Sequence, residues 1–219
     1  MPELSPTRVV IETGAKKVFA SALEWPGWSR AGRDESAALE ALASYAARFA
    51  AVVDVAGGRF AARSASSLTV VERVPGSATT DFGAPGSIAD AERIDLTPAE
   101  ARRRADLVRA AWTVLDRAVD RAPSSLRKGP RGGGRDRDAV AQHVCNAEAA
   151  YARKLGLRLP EPDALDAGAV ATFRDAIDEA LRDVRREPAG HKGWPLTYAG
   201  RRIAWHVLDH AWEIEDRSP

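Results

Sequence analysis

Apolar residues in this chain fall in short β-branched runs near its start and at spacings of three and four towards its end. Val9, Val10 and Ile11 make residues 8–12 a strand, because branched side chains suit a pleated, half-buried surface. Thr13-Gly14-Ala15 is a tight turn. Alternation through Val18, Ala20 and Ala22 predicts a second strand over 17–23. The two make a hairpin, closed by the turn Trp25-Pro26-Gly27-Trp28. Asp34 is an N-cap, and Leu39, Leu42, Tyr45, Ala46 and Phe49 keep helical spacing through 35–55 until Gly57-Gly58. A further strand is predicted over 67–74. Residues 75–95 hold Pro75-Gly76, Gly83 and Pro85-Gly86 with little periodicity, so they read as a linker and place a domain boundary there.

Beyond it the period is helical. Thr97-Pro98-Ala99-Glu100 combines an N-cap, a proline at N1 and the acidic third residue of a capping box. Ala101, Ala105, Val108, Trp112, Leu115 and Val119 then alternate four and three, the seam of a bundle helix. Ala122-Pro123 ends it. A second helix is predicted over 137–155 on Val140, Val144, Ala147, Tyr151 and Leu155. A third is predicted over 169–186 on Val170, Phe173, Ile177, Leu181 and Val184. A fourth starts near Tyr198 and runs to Arg217. The fold class expected is α+β: a small α/β module over 1–90, hairpin plus helix, followed by an all-α four-helix bundle over 95–219.

Composition narrows the function. The 219 residues are 45% hydrophobic and carry a formal net charge of +1. Such a balance argues against a general nucleic-acid binder. A single cysteine, Cys145, excludes an internal disulfide framework and a cysteine-built zinc site. No apolar run nears the ~20 residues that span a bilayer, and the first residues lack the order of a signal peptide. The expectation is a soluble, cytoplasmic protein acting on a small molecule. A homodimer is one assembly open to it. The glycine-rich basic loop Arg127-Lys128-Gly129-Pro130-Arg131 to Arg135 can cradle an anion, but it lacks the Gly-Lys-Ser/Thr of a phosphate-binding loop and reads as a solvated connector.

The histidines carry the chemistry. His206 and His210 lie one turn apart on the fourth helix, on the side of Ile203, Val207 and Ile214. His143 sits on the apolar shoulder of the second helix. Buried imidazoles need partners, and three that converge make a metal set with an open position for substrate or water. Cys145, about 200° round the helix from His143 at ~3.6 residues per turn, reads as a packing residue. Asp209 either orients a ligand histidine or pairs with an arginine at the surface; its place beside the His206/His210 face suits the pairing. Trp205 and Trp212 read as bundle anchors. Arg201 and Arg202 can meet an anionic cofactor, though arginines at a helix start are commonly solvated. His191, in the preceding loop, has no assigned role.

Two resemblances follow. Leu23-Glu24-Trp25-Pro26-Gly27-Trp28, a polar loop and Asp34-Glu35-Ser36-Ala37-Ala38-Leu39 resemble the small α/β domain of HicB antitoxins over the first quarter of the chain. No helix-turn-helix or ribbon-helix-helix accompanies it, which counts against an antitoxin role; the module reads as a small sheet-and-helix unit that packs on its neighbour, with partner recognition as the alternative. One histidine on the second helix and His-x-x-x-His on the fourth resemble the DinB/YfiT superfamily of four-helix metalloproteins, which includes mycothiol-dependent maleylpyruvate isomerase and the bacillithiol transferases. That likeness covers 95–219. It implies His143, His206 and His210 as ligands, zinc or nickel as the ion, and a low-molecular-weight thiol such as mycothiol as the activated group. The function so implied is a metal-dependent thiol transferase or isomerase, with a hydrolase as the outcome if water is the bound group. The alternative is a non-catalytic binding protein, with a dry core in which His206 is hydrogen-bonded to protein groups.

Overall fold

The structure is a computed structural model, and it describes residues 6–60, 67–128, 134–186 and 193–219. Those residues form a four-stranded sheet and seven α-helices. Strands β1 (Thr7–Thr13), β2 (Val18–Ala22) and β3 (Ser29–Gly32) make an antiparallel meander. Helices α1 (Glu35–Ser44) and α2 (Ala46–Val55) then carry the chain back, and β4 (Leu68–Pro75) lies parallel to β1, giving the order β3-β2-β1-β4. The hairpin is where the alternation put it. β3 was hidden, because a strand of four residues with two polar side chains follows directly on the Trp25–Trp28 turn. Its entry is anchored by Trp28, which is fully buried, stacks on Phe49 and donates its indole N–H to the Leu42 carbonyl at 2.8 Å. That carbonyl belongs to the last turn of α1, whose acceptors lack helical partners.

The single helix expected over 35–55 is two, bent by 49° at Tyr45. Its start is as expected: the Asp34 side chain accepts from the Ala37 N–H. The bend leaves α1 against β2 and β3 and lets α2 reach the long helix α4 (Pro98–Arg121). Helices α5 (Arg137–Lys154), α6 (Ala167–Arg182) and α7 (Leu196–Arg217) complete the chain. α4 lies along α7 and also meets α5 and α6, while α5 and α6 each touch α7. The capping box at Thr97 forms, with Glu100 accepting from the Thr97 N–H and hydroxyl. α4 buries more than the expected seam. Leu107, Ala110 and Ala111 are covered as well, because α2 and α6 pack on further sides of it. α6 ends at Arg182 rather than 186, so Val184 lies outside it. Among the described residues, no single helix is long and apolar enough to cross a membrane.

One apolar core runs from Val9 and Ile11 through Trp28 and Phe49 to Leu115, Ile177 and Ile214. The sheet faces it with Val9, Ile11, Val18, Ala20 and Ala22; the opposite face, with Val10, Phe19, Ser21 and Leu23, is buried too. Phe19 meets Trp205 of α7 edge-on. The segment 75–95 is therefore no free linker. It holds the short helix α3, here Ala78–Phe82, and a 3₁₀ turn at Asp90–Glu92. The Glu12 carboxylate accepts from Thr80 and from the Gly86 and Ser87 N–H groups. Tyr198, Arg201 and Arg202 of α7 donate to the carbonyls of Gly86, Ser87 and Pro85. Its order comes from polar bonds rather than an apolar period, so no pattern in the sequence announces it. Of the basic loop, residues 129–133 lie outside the described residues. Its near end is tied down: the Arg127 N–H and guanidinium donate to the Arg217 and Asp216 carbonyls at the end of α7, where a cation also suits the helix dipole.

The Trp25–Trp28 turn presses on α7. Gly27 has φ +96°, and a Cβ there would stand 2.7 Å from Leu208 Cδ1 and 3.1 Å from Ala204 Cβ. Gly27→Ala is expected to cost about 2 kcal/mol or more, from backbone strain and overpacking together. Urea unfolding measures it. An unchanged midpoint would show that the turn does not bear on α7.

Candidate metal centre

α5 and α7 place three histidines in one cluster. The rings of His143 and His206 are 5.2 Å apart, those of His143 and His210 4.9 Å, and those of His206 and His210 4.6 Å. One ring nitrogen from each lies within 4.8 Å of the others, a set that can hold a metal ion. The i,i+4 spacing on α7 supplies two of them and the shoulder of α5 the third. His206 is the buried member, and its Nδ1 has no hydrogen-bond partner. His143 and His210 are half-buried. Ala147, one turn along α5 from His143, is also half-buried.

Electrostatics keep lone pairs available. Burial lowers the His206 pKa well below the usual imidazole range, and His210 and Arg202 push the same way. Burial, then His210 and Arg135, lowers that of His143. Neutral imidazoles are what a metal site requires. His210 Nδ1 is held by Glu213 Oε2 at 2.8 Å, which leaves Nε2 free. Glu213 is in turn held by Arg217 at 2.6 Å, and its carboxyl is lowered chiefly by the bond with His210. A carboxylate behind a histidine fixes the ring and raises the basicity of the free nitrogen.

That carboxylate is Glu213 and not Asp209. Asp209 pairs with Arg30 at 2.8 Å, and Arg30 lies over the Tyr45 and Trp212 rings. Glu213 follows His210 by three residues and precedes Arg217 by four, a spacing legible in the sequence once His210 is taken as a ligand. Arg201 and Arg202 are not solvated. Arg201 is buried in an ion pair with Glu92 at 2.6 Å, which leaves nothing for a cofactor. Arg202 is buried beside Tyr151 and Trp205. Trp205 and Trp212 pack against Phe19 and Tyr45, as anchors do.

Cys145 faces elsewhere. It lines a cavity of about 430 Å³ walled by α4, α5 and α6, together with Trp112, Asp116 and Arg174. Burial, helped by Glu148, pushes its thiol up to about 11, so it is no nucleophile near neutral pH. The cavity does not include the three histidines. His191 lies outside the described residues. No family model, curated protein or solved structure matches this chain.

Proposed function

We propose that the chain is a metal-dependent enzyme of the DinB/YfiT kind, with a four-helix bundle over 95–219 and a HicB-like α/β module over 1–90 packed against it. His143, His206 and His210 hold a divalent ion, zinc or nickel, and leave a position for a low-molecular-weight thiol in a transferase or isomerase reaction. The observation that carries this reading is the convergence of one ring nitrogen from each of three histidines, one of which, His206, is buried with its Nδ1 lacking a hydrogen-bond partner. A hydrogen-bonded, dry core would have given that nitrogen a protein partner, because an orphaned buried polar atom costs ~1–3 kcal/mol. The chemistry an ion supplies there is deprotonation of a coordinating thiol near neutral pH. Glu213 holds the His210 tautomer, and the Tyr151 ring stands edge-on to that of His206 at 5.7 Å.

Elemental analysis tests the reading. Protein purified without chelator and without a histidine tag is expected to carry about one divalent transition ion per chain. Metal-free protein that also takes up neither zinc nor nickel in titration would refute it.

A further inference from the structure

Beside the histidines stands a cation that has no counter-ion among the described residues. Arg202 stands one turn before His206 on α7, and Tyr151 stands two turns after His143 on α5. Arg202 is 8% exposed. Its guanidinium lies 4.8 Å from the Trp205 ring centre and 5.5 Å from that of Tyr151. Its hydrogen-bond acceptor is the neutral Pro85 carbonyl at 3.3 Å. Among the described residues, no carboxylate lies within ion-pair distance of it. The other arginines of α7 differ: Arg201 has Glu92 and Arg217 has Glu213. A buried charge left unpaired is costly, and the cost is tolerated where a ligand brings the opposite charge.

The surroundings point the same way. Trp205, in contact with Arg202, keeps a buried indole N–H without an acceptor. Glu213 is already shared by His210 and Arg217, and Glu148 of α5 accepts from Trp112 and faces Arg174. The Arg202 charge thus has no opposite charge, and the Trp205 N–H no acceptor, among the described residues, and a divalent ion at the histidines would add to the positive charge.

We propose that Arg202 is the anchor for an oxyanion group on the ligand, a carboxylate being the simplest, whose donor atom occupies the open position at the three histidines. The spacing sets the ligand's size. Four residues of helix rise ~6 Å, so the charged group sits a few bonds from the metal-binding atom. Arg201 has no such role, because its charge is spent on Glu92.

The inference rests on the metal reading, and the test separates the two. Cobalt(II)-loaded protein is titrated with 3-mercaptopropionate and with its neutral isostere 3-mercaptopropionamide, and the thiolate-to-cobalt absorption is followed. Wild type is expected to bind the carboxylate about ten-fold more tightly, as a charge-assisted hydrogen bond implies. Arg202→Gln should bind both alike while keeping its cobalt, and Arg202→Lys should restore part of the preference. Equal binding by wild type, or a preference that survives in Arg202→Gln, overturns the proposal. Should cobalt not load, the metal reading fails by itself, and the metal-free protein decides the anion site. Propionate, and not propionamide at matched ionic strength, should then raise the melting temperature of wild type but not of Arg202→Gln; any other pattern overturns the proposal.

Discussion

Glu92→Gln should destabilise the protein by about 3–5 kcal/mol, the cost of leaving one member of a buried ion pair without its partner. Glu92 and Arg201 are 2% and 3% exposed and meet through two bonds, Nε to Oε1 at 2.6 Å and Nη2 to Oε2 at 2.9 Å. The rest of each group is also satisfied. Arg201 donates to Ser21 Oγ on β2 and to the Ser87 carbonyl, and Glu92 Oε2 accepts from the Ala89 N–H. Thr197, in the first turn of α7, donates to the Glu92 carbonyl. The pair therefore joins the sheet, the segment 75–95 and α7 at a single point. Arg201→Met should cost as much from the other side. The double variant Glu92→Leu/Arg201→Met should recover a large share, since apolar replacements of similar volume remove both desolvation penalties together. Guanidinium unfolding of the three variants yields the coupling directly. A loss within ~0.5 kcal/mol for Glu92→Gln, the range of a surface change, would mean that residues 75–95 are the loose connector their composition suggests. Limited proteolysis reads the same contrast: wild type should resist cutting there, and Glu92→Gln should not.

The segment shows what kind of order a sequence displays. Elements held by an apolar period were legible: the hairpin through Val18 and Ala22 and the helices through Val108 and Ile177; so was the capped start at Thr97, where Thr97 and Glu100 satisfy one another locally. The short strand β3 and the bend at Tyr45 were not, because both are set by contacts distant in sequence. Trp28 packs on Phe49 and binds the Leu42 carbonyl; Tyr45 lies under Arg30 and beside Trp212. The same divide runs through the site. The histidine set could be read from i,i+4 spacing and one helix shoulder, and the fold does bring those three rings together. The fates of Arg201 and Arg202 could not be read. Arginines at a helix start look solvated until the 75–95 segment is seen to fold over them. Asp209, one residue before His210, lies beside the ligand face and could be read as an arginine partner, but that the arginine is Arg30 on β3 could not.

The sharpest effects are expected at the histidines. His206→Ala, His210→Ala and His143→Ala should each reduce metal content from about one ion per chain to a small fraction, because two remaining ligands are too few for a labile divalent ion. Glu213→Gln should leave the ligand set intact and weaken affinity by ~10–100-fold, as loss of a carboxylate behind a ligand histidine does. His191→Ala, removing the one remaining histidine of the four, is expected to leave metal content unchanged. All five variants should fold. Stability rests on the apolar core around Trp112, Leu115, Ile177 and Ile203, and truncating a core imidazole costs an ordinary ~1–3 kcal/mol. For His206 the cost in metal-free protein should fall at the low end, because its Nδ1 gives up no hydrogen bond. Metal content by elemental analysis, set beside far-ultraviolet circular dichroism of the same samples, separates loss of a ligand from loss of the fold. The decisive comparison is between two helices. If His143→Ala keeps its metal while His191→Ala loses it, the ion is bound by α7 and the residues before it, α5 contributes no ligand, and the likeness to the DinB/YfiT proteins is one of shape alone.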